Sequence, residues 1–96
     1  MDELLKYSNP TVAQRKAFQF YGPKAILYRS NVKGKKYAII DLSGNIVNFG
    51  QMGYEDYTKH ADDDRRRSYL KRSANIKGDW KKNIYSPNYL SRTILW

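Results

Sequence analysis

The densest run of residues able to do chemistry lies between Arg65 and Lys82. Eight cations, Arg65, Arg66, Arg67, Lys71, Arg72, Lys77, Lys81 and Lys82, face one carboxylate, Asp79, for a net +7 over 18 residues. Tyr69 and Trp80 are interleaved among them. Lysine and arginine neutralise phosphates and give affinity independent of base sequence, while aromatic rings add stacking on bases. Arg65 and Arg72 lie seven apart and would share a helix face with Tyr69 between them. The bland alternative is a solvated helix face whose arginines pair with Asp62, Asp63 and Asp64 at spacing three or four. A second cluster, Lys33, Lys35 and Lys36, is expected at a hairpin tip beside Gly34. There it would either reach a phosphate groove or guard a strand edge against aggregation.

Other chemistries find less support. His60, between Asp56 and Asp62, has the composition of a general base or metal ligand, but one histidine and neighbouring acids do not complete a zinc site. A structural or capping role is expected of it. Carboxylates at Glu55 and Asp56 lack the cleft that a glycosidase pair requires. Neither GxxxxGK[ST] nor GxGxxG occurs, and there is no cysteine to act as nucleophile, disulfide or thiolate ligand. No catalytic residue, metal or other cofactor is expected, and the chain is read as a non-enzyme. A compact nuclease using His60 and nearby acids is the enzymatic alternative.

Over all 96 residues, 18 Lys+Arg against nine Asp+Glu leave +9. Such an excess points to polyanions, whether nucleic acid or an anionic surface. Fourteen aromatics, nine of them tyrosine, could serve as core, as interface anchors or as stacking platforms. No apolar run approaches the ~20 residues of a membrane span, and the N-terminal residues lack a secretory layout. A soluble protein of a reducing compartment, not secreted, is expected.

The elements that must position these residues read as α+β: an N-terminal helix, a three-stranded antiparallel meander, then two or three short helices. The helical segment spans 1–22, begins at Asp2 and Glu3, breaks at Asn9-Pro10 and restarts with Thr11 as cap. Gly22-Pro23 closes it. Three apolar runs over 24–50, Ala25–Tyr28, Lys36–Asp41 and Ile46–Phe49, alternate with turn residues and give the meander. In the middle run Tyr37 and Ile39 share one face, Ala38 and Ile40 the other, so both faces are expected to be covered. Residues 54–96 read as helical: a turn or two over 54–60, then a helix capped by Asp62–Asp64 and ending near Asn75. A loop follows, and a final helix starts at Ser86 or Asn88. Its Leu90, Ile94 and Trp96 are spaced to dock. One compact domain, 1–96, is expected.

Several blocks resemble a small uncharacterised family of nucleocytoplasmic large DNA viruses, the giant viruses of algae and protists. They are Gly34–Tyr37, Asp41–Gly44, Asn48–His60, Arg65-Arg66 with Tyr69–Arg72, Ile76–Lys81, Tyr85–Asn88 and Leu95-Trp96. The likeness spans roughly 24–96 and is most specific at Phe49–His60; it departs at Tyr89, where asparagine is usual. The resemblance implies a viral origin and a β-meander followed by helices, with no defined activity. In the shared motif, Tyr54, Tyr57 and Trp80 would wedge helix against sheet, and Trp96 would seal the far end of the core.

The expected function is binding of a polyanion, viral DNA in or around the virion or infected cell, through Arg65, Arg66, Arg67, Lys71, Arg72, Lys77, Lys81, Lys82, Lys33, Lys35 and Lys36, with Trp80 and Tyr69 stacking. The alternative is a minor structural protein that docks on capsid proteins through its aromatic surface. No small-molecule substrate is expected.

Overall fold

The computed structural model describes residues 3–96; the helix-start acid expected at Asp2 lies outside the described residues. The chain is α+β: an N-terminal helix, a three-stranded antiparallel sheet, then further helices. A 3-10 turn over Glu3–Lys6 leads into α1, Pro10–Tyr21. The cap of α1 is Asn9 rather than Thr11: its Oδ1 accepts the backbone N–H of Thr11 at 3.1 Å and of Val12 at 3.3 Å. Pro10 then occupies the first helical position, where its missing N–H costs nothing. Gly22, at φ +98°, ends the helix as expected.

The sheet runs β1 (Tyr28–Arg29), β2 (Lys35–Ile40), β3 (Ile46–Gln51), in that spatial order. Register places Tyr37 opposite Phe49, Ile39 opposite Val47 and Ile40 opposite Ile46. The turn between β2 and β3 is held by Asp41, whose Oδ1 accepts from the N–H of Ser43 and Asn45, both at 2.9 Å. β1 is shorter than the apolar run Ala25–Tyr28 suggests. The side-chain amide of Gln14 on α1 donates to the Ala25 carbonyl and accepts from the Leu27 N–H, both at 2.8 Å. A helix side chain thus satisfies backbone groups that a ladder would otherwise claim.

The helical half comprises α2 (Tyr57–His60), α3 (Asp63–Ala74), a 3-10 turn at Trp80–Lys82, α4 (Pro87–Leu90) and a π-helical turn, Ser91–Leu95. Asp56, Asp62 and Ser86 cap α2, α3 and α4 with their side chains. No helix among the described residues is long and apolar enough to cross a membrane.

The core gathers Leu4, Ala13 and Ala17 from the N-terminal segment, Tyr37, Ile39 and Phe49 from the sheet, and Leu90, Ile94 and Leu95 from the C-terminal helices. Ala13 and Ala17 are fully buried where α1 packs against Ser91–Leu95. The Tyr37/Ile39 face is covered as expected. The other face is covered only in part: Lys36 and Ala38 are buried, but Ile40, Leu42 and Ile46 are exposed at the far end of the hairpin.

β3 and the C-terminal turn meet at Gly50. It sits at φ +80°, and a Cβ there would lie 2.8 Å from Leu95 Cδ1 and 3.1 Å from Lys36 Cβ. Gly50→Ala therefore combines left-handed strain with a clash in the core and should destabilise the fold by about 2–4 kcal/mol in urea denaturation. Gly44→Ala, at φ +85° with open space around it, carries the backbone strain alone, about 1–2 kcal/mol. Equal losses at the two sites would contradict the close approach.

Candidate nucleic-acid interface

The site is built outward from a buried ion pair. Lys36 is 3% exposed and Asp56 0%, and their Nζ and Oδ2 lie 3.0 Å apart. Lys36 Nζ also donates to the Tyr54 carbonyl at 2.6 Å. Asp56 Oδ1 accepts both the N–H and the hydroxyl of Thr58, and the Asp56 N–H donates to the Tyr7 carbonyl at 2.9 Å. The network continues through Ser8 Oγ, which lies 3.1 Å from Thr58 Oγ1 and 2.7 Å from the Tyr37 hydroxyl. Five side chains from the N-terminal segment, β2 and the start of α2 thus satisfy one another away from water, as burial of polar groups demands. Burial draws the Lys36 ammonium below its ordinary pKa, with the Asp56 charge opposing that pull.

This corrects the expectation for Lys36, which belongs to β2 and the interior and cannot serve as a phosphate ligand at a hairpin tip. Alternation puts Lys36 on the Ala38 and Ile40 side of β2 and Lys35 on the Tyr37 and Ile39 side; Lys35 stands exposed at the strand's first position, and Lys36 is buried against Asp56. What Lys36 does is hold the backbone of Tyr54. That residue does not wedge helix against sheet as expected; its side chain is 66% exposed.

Tyr54 and Lys35 stand on one side of an open groove of about 960 Å³, and Arg65, Tyr69 and Arg72 of α3 stand on the other. The seven-residue spacing of Arg65 and Arg72 does place both on one face, with Tyr69 beside them. Two carboxylates, Glu55 and Asp64, also line the groove. Arg65 approaches Glu55 at 3.9 Å, both partly exposed.

All eight cations of 65–82 are exposed, and so is Lys33. The fold nevertheless disperses them. Arg66 is held along the surface: its Nε donates to the Trp96 carbonyl at 2.6 Å and its guanidinium lies 5.5 Å from the Tyr57 ring. Arg67 pairs with Asp64 one turn back, and Lys82 approaches Asp79 at 3.9 Å. Exposed pairs of this kind are worth about 0–1 kcal/mol. Lys71, Arg72, Lys77 and Lys81 form no ion pair with a described residue. Lys77, Lys81 and Lys82 belong to the segment after α3, away from the groove wall.

Both rings expected to stack on bases are engaged within the chain. Tyr69 lies flat on Trp96, centroids 4.2 Å apart at 9°. Trp80 donates its Nε1–H to the Ile76 carbonyl at 2.8 Å, carries Arg92 at 5.3 Å and Lys81 at 5.5 Å, and meets the edge of Tyr89. Arg92, which sequence reasoning passed over, also donates to the Leu70 carbonyl and to Ser73 Oγ. α3 buries just one residue fully, Ser73, so these polar and aromatic contacts attach it. His60 behaves as a structural residue: Nδ1 accepts the Asp62 N–H at 2.9 Å, and the ring packs 5.2 Å from Trp96. Burial, with Arg65 nearby, lowers its pKa.

Residues 25–73, just over half of the chain, match the family of unknown function DUF5754. The chain belongs to that family. The DUF5754 segment holds the sheet, the Lys36–Asp56 pair, α2 and all of α3 except its last residue, and hence most of the groove. It leaves out α1 and the C-terminal helices that complete the core. The family assigns neither an activity nor a viral source. No curated protein and no solved structure matches the chain.

Lys36 and Tyr54 both lie where the sequence pattern did not put them. No local signal marks which lysine is buried: alternation puts Lys35 and Lys36 on two faces that were both expected to be covered, and the choice rests on the Asp56 carboxylate twenty residues on. Removing one member of the buried pair should be severe. Lys36→Met is expected to cost about 3–5 kcal/mol, and adding Asp56→Asn, which keeps the Thr58 cap, should restore part of it. A double-mutant cycle by chemical denaturation measures this; additive losses would contradict the pairing.

Burial also pushes the Tyr37 phenol up to about 12 from an ordinary 10. The unfolded chain then loses its proton first. Stability is complete below pH 10 and falls as pH rises towards about 12, by roughly 2 kcal/mol from this group. A Tyr37→Phe variant should show a smaller alkaline loss in thermal melts; an unchanged slope above pH 10 would count against the buried phenol.

Proposed function

We propose that the protein is a non-enzymatic polyanion-binding protein that holds nucleic acid on its basic face. One observation carries the reading: the fold brings Lys35, from the meander, to the groove that Arg65 and Arg72 line from α3. Two clusters some thirty residues apart in the chain thereby act on one ligand. Arg66, Arg67, Lys71, Lys77, Lys81, Lys82 and Lys33 extend positive potential around it and draw a charged partner in. The likeness to giant-virus proteins makes the viral genome the polyanion we favour, in or around the virion.

A second reading, a minor virion protein docked on capsid proteins, is favoured by the exposed apolar end of the sheet. Ile40, Leu42 and Ile46 lie together at the β2–β3 turn, an anchor a protein partner could cover.

Titration of labelled DNA at several salt concentrations separates the two. Polyanion binding predicts a log–log slope of about −0.9 for each phosphate contacted, and Lys35→Ala or Arg72→Ala should each reduce it by about one contact. Charge reversal at both positions should abolish binding at physiological salt. No binding at ~50 mM salt would overturn the nucleic-acid reading and leave the docking one.

A further inference from the structure

The groove is not a plain anion trap. Lys35, Arg65 and Arg72 share it with Glu55 and Asp64, and a row of phosphates alone would meet those carboxylates as repulsion. A ligand that carries both anionic groups and hydrogen-bond donors satisfies both sets. Nucleotides are such ligands: their phosphates suit the cations, and the exocyclic amines of their bases donate to carboxylates.

In a duplex pairing takes one N–H of each such amine and the ring faces are stacked inside, so a base can stack on a protein ring only after leaving the helix. At about 960 Å³ the groove is the size of a small-molecule site, roughly 300–1,000 Å³, and fits a few unstacked nucleotides. An aromatic platform stands at its edge. Tyr54 exposes two-thirds of its surface, while Lys36 Nζ grips its carbonyl at 2.6 Å from inside the protein. Its backbone is thus held rigidly while its ring faces solvent, so little order remains to be imposed when a base stacks there. Tyr69 and Trp96, already stacked on each other, line the opposite wall.

We infer that the groove binds single-stranded nucleic acid, with Tyr54 stacking on one unpaired base and Lys35, Arg65 and Arg72 holding the flanking phosphates. This rests on the polyanion reading and narrows it to one strand.

Fluorescence anisotropy with a labelled single strand of about ten nucleotides, the matching duplex and a mononucleotide competitor tests it. The single strand is expected to bind about tenfold more tightly than the duplex at equal salt. Tyr54→Ala should weaken single-strand binding by about tenfold and leave duplex binding unchanged, whereas Tyr54→Phe should bind like the parent. Because the side chain is exposed, both variants should keep the parent far-UV circular dichroism. Equal affinity for strand and duplex, a silent Tyr54→Ala, or a mononucleotide that competes as well as the strand would overturn the inference. If strand and duplex bind equally with a steep salt slope, the single-strand inference falls and the polyanion reading survives. If neither binds, both fall.

Discussion

The structure depends on the salt bridge between Lys36 and Asp56. An ammonium and a carboxylate buried together are tolerable only when their geometry is close and their remaining hydrogen-bonding capacity is used. Here Nζ is shared between a carboxylate and the Tyr54 carbonyl, and the carboxylate caps the first turn of α2. Three chain segments are therefore tied at one point: the link between the 3-10 turn and α1 through Tyr7 and Ser8, the central strand through Lys36 and Tyr37, and the exit from the sheet through Tyr54 and Asp56. An apolar cluster there could slide; a charged pair with directed hydrogen bonds cannot without leaving a charge unpaired.

That constraint sets the groove. The path from β3 into α2 is fixed by Gly50, which lets Leu95 approach, and by the Lys36 grip on Tyr54. α3 follows directly after α2 and contributes almost nothing to the apolar core. It is attached by the Tyr69–Trp96 stack, the Arg66 bond to the Trp96 carbonyl and the Arg92 bonds to Leu70 and Ser73. Attachment of this kind leaves the most charged helix of the protein at the surface, with its arginines exposed. Arginine side chains at 66 and 92 serve structure, and those at 65 and 72 face the groove.

Much of the fold was legible in the chain. The three apolar runs separated by turn residues, the Asp62 cap of α3, the Ser86 start of the last helix and the inward Leu90 and Ile94 all follow local rules of periodicity and capping, and the structure bears them out. Differences arose from a distant group in one case and from a neighbouring cap in another. Gln14 shortened β1 by taking its backbone groups, and Asn9 displaced Thr11 as cap because Pro10 belongs to the helix. The uncovered Ile40 and Ile46 show that alternation identifies two faces without saying whether both find a cover.

Charge, aromatic content and the order of elements are properties of the chain itself, because they rest on residue type and on neighbours three or four positions away. Which of two adjacent lysines enters the interior, which tyrosine is left facing solvent, and that Lys35 meets Arg65 and Arg72 were decided by packing alone. Those outcomes hang on contacts across twenty to forty residues, where the desolvation of one ammonium selects a single arrangement that local sequence does not encode.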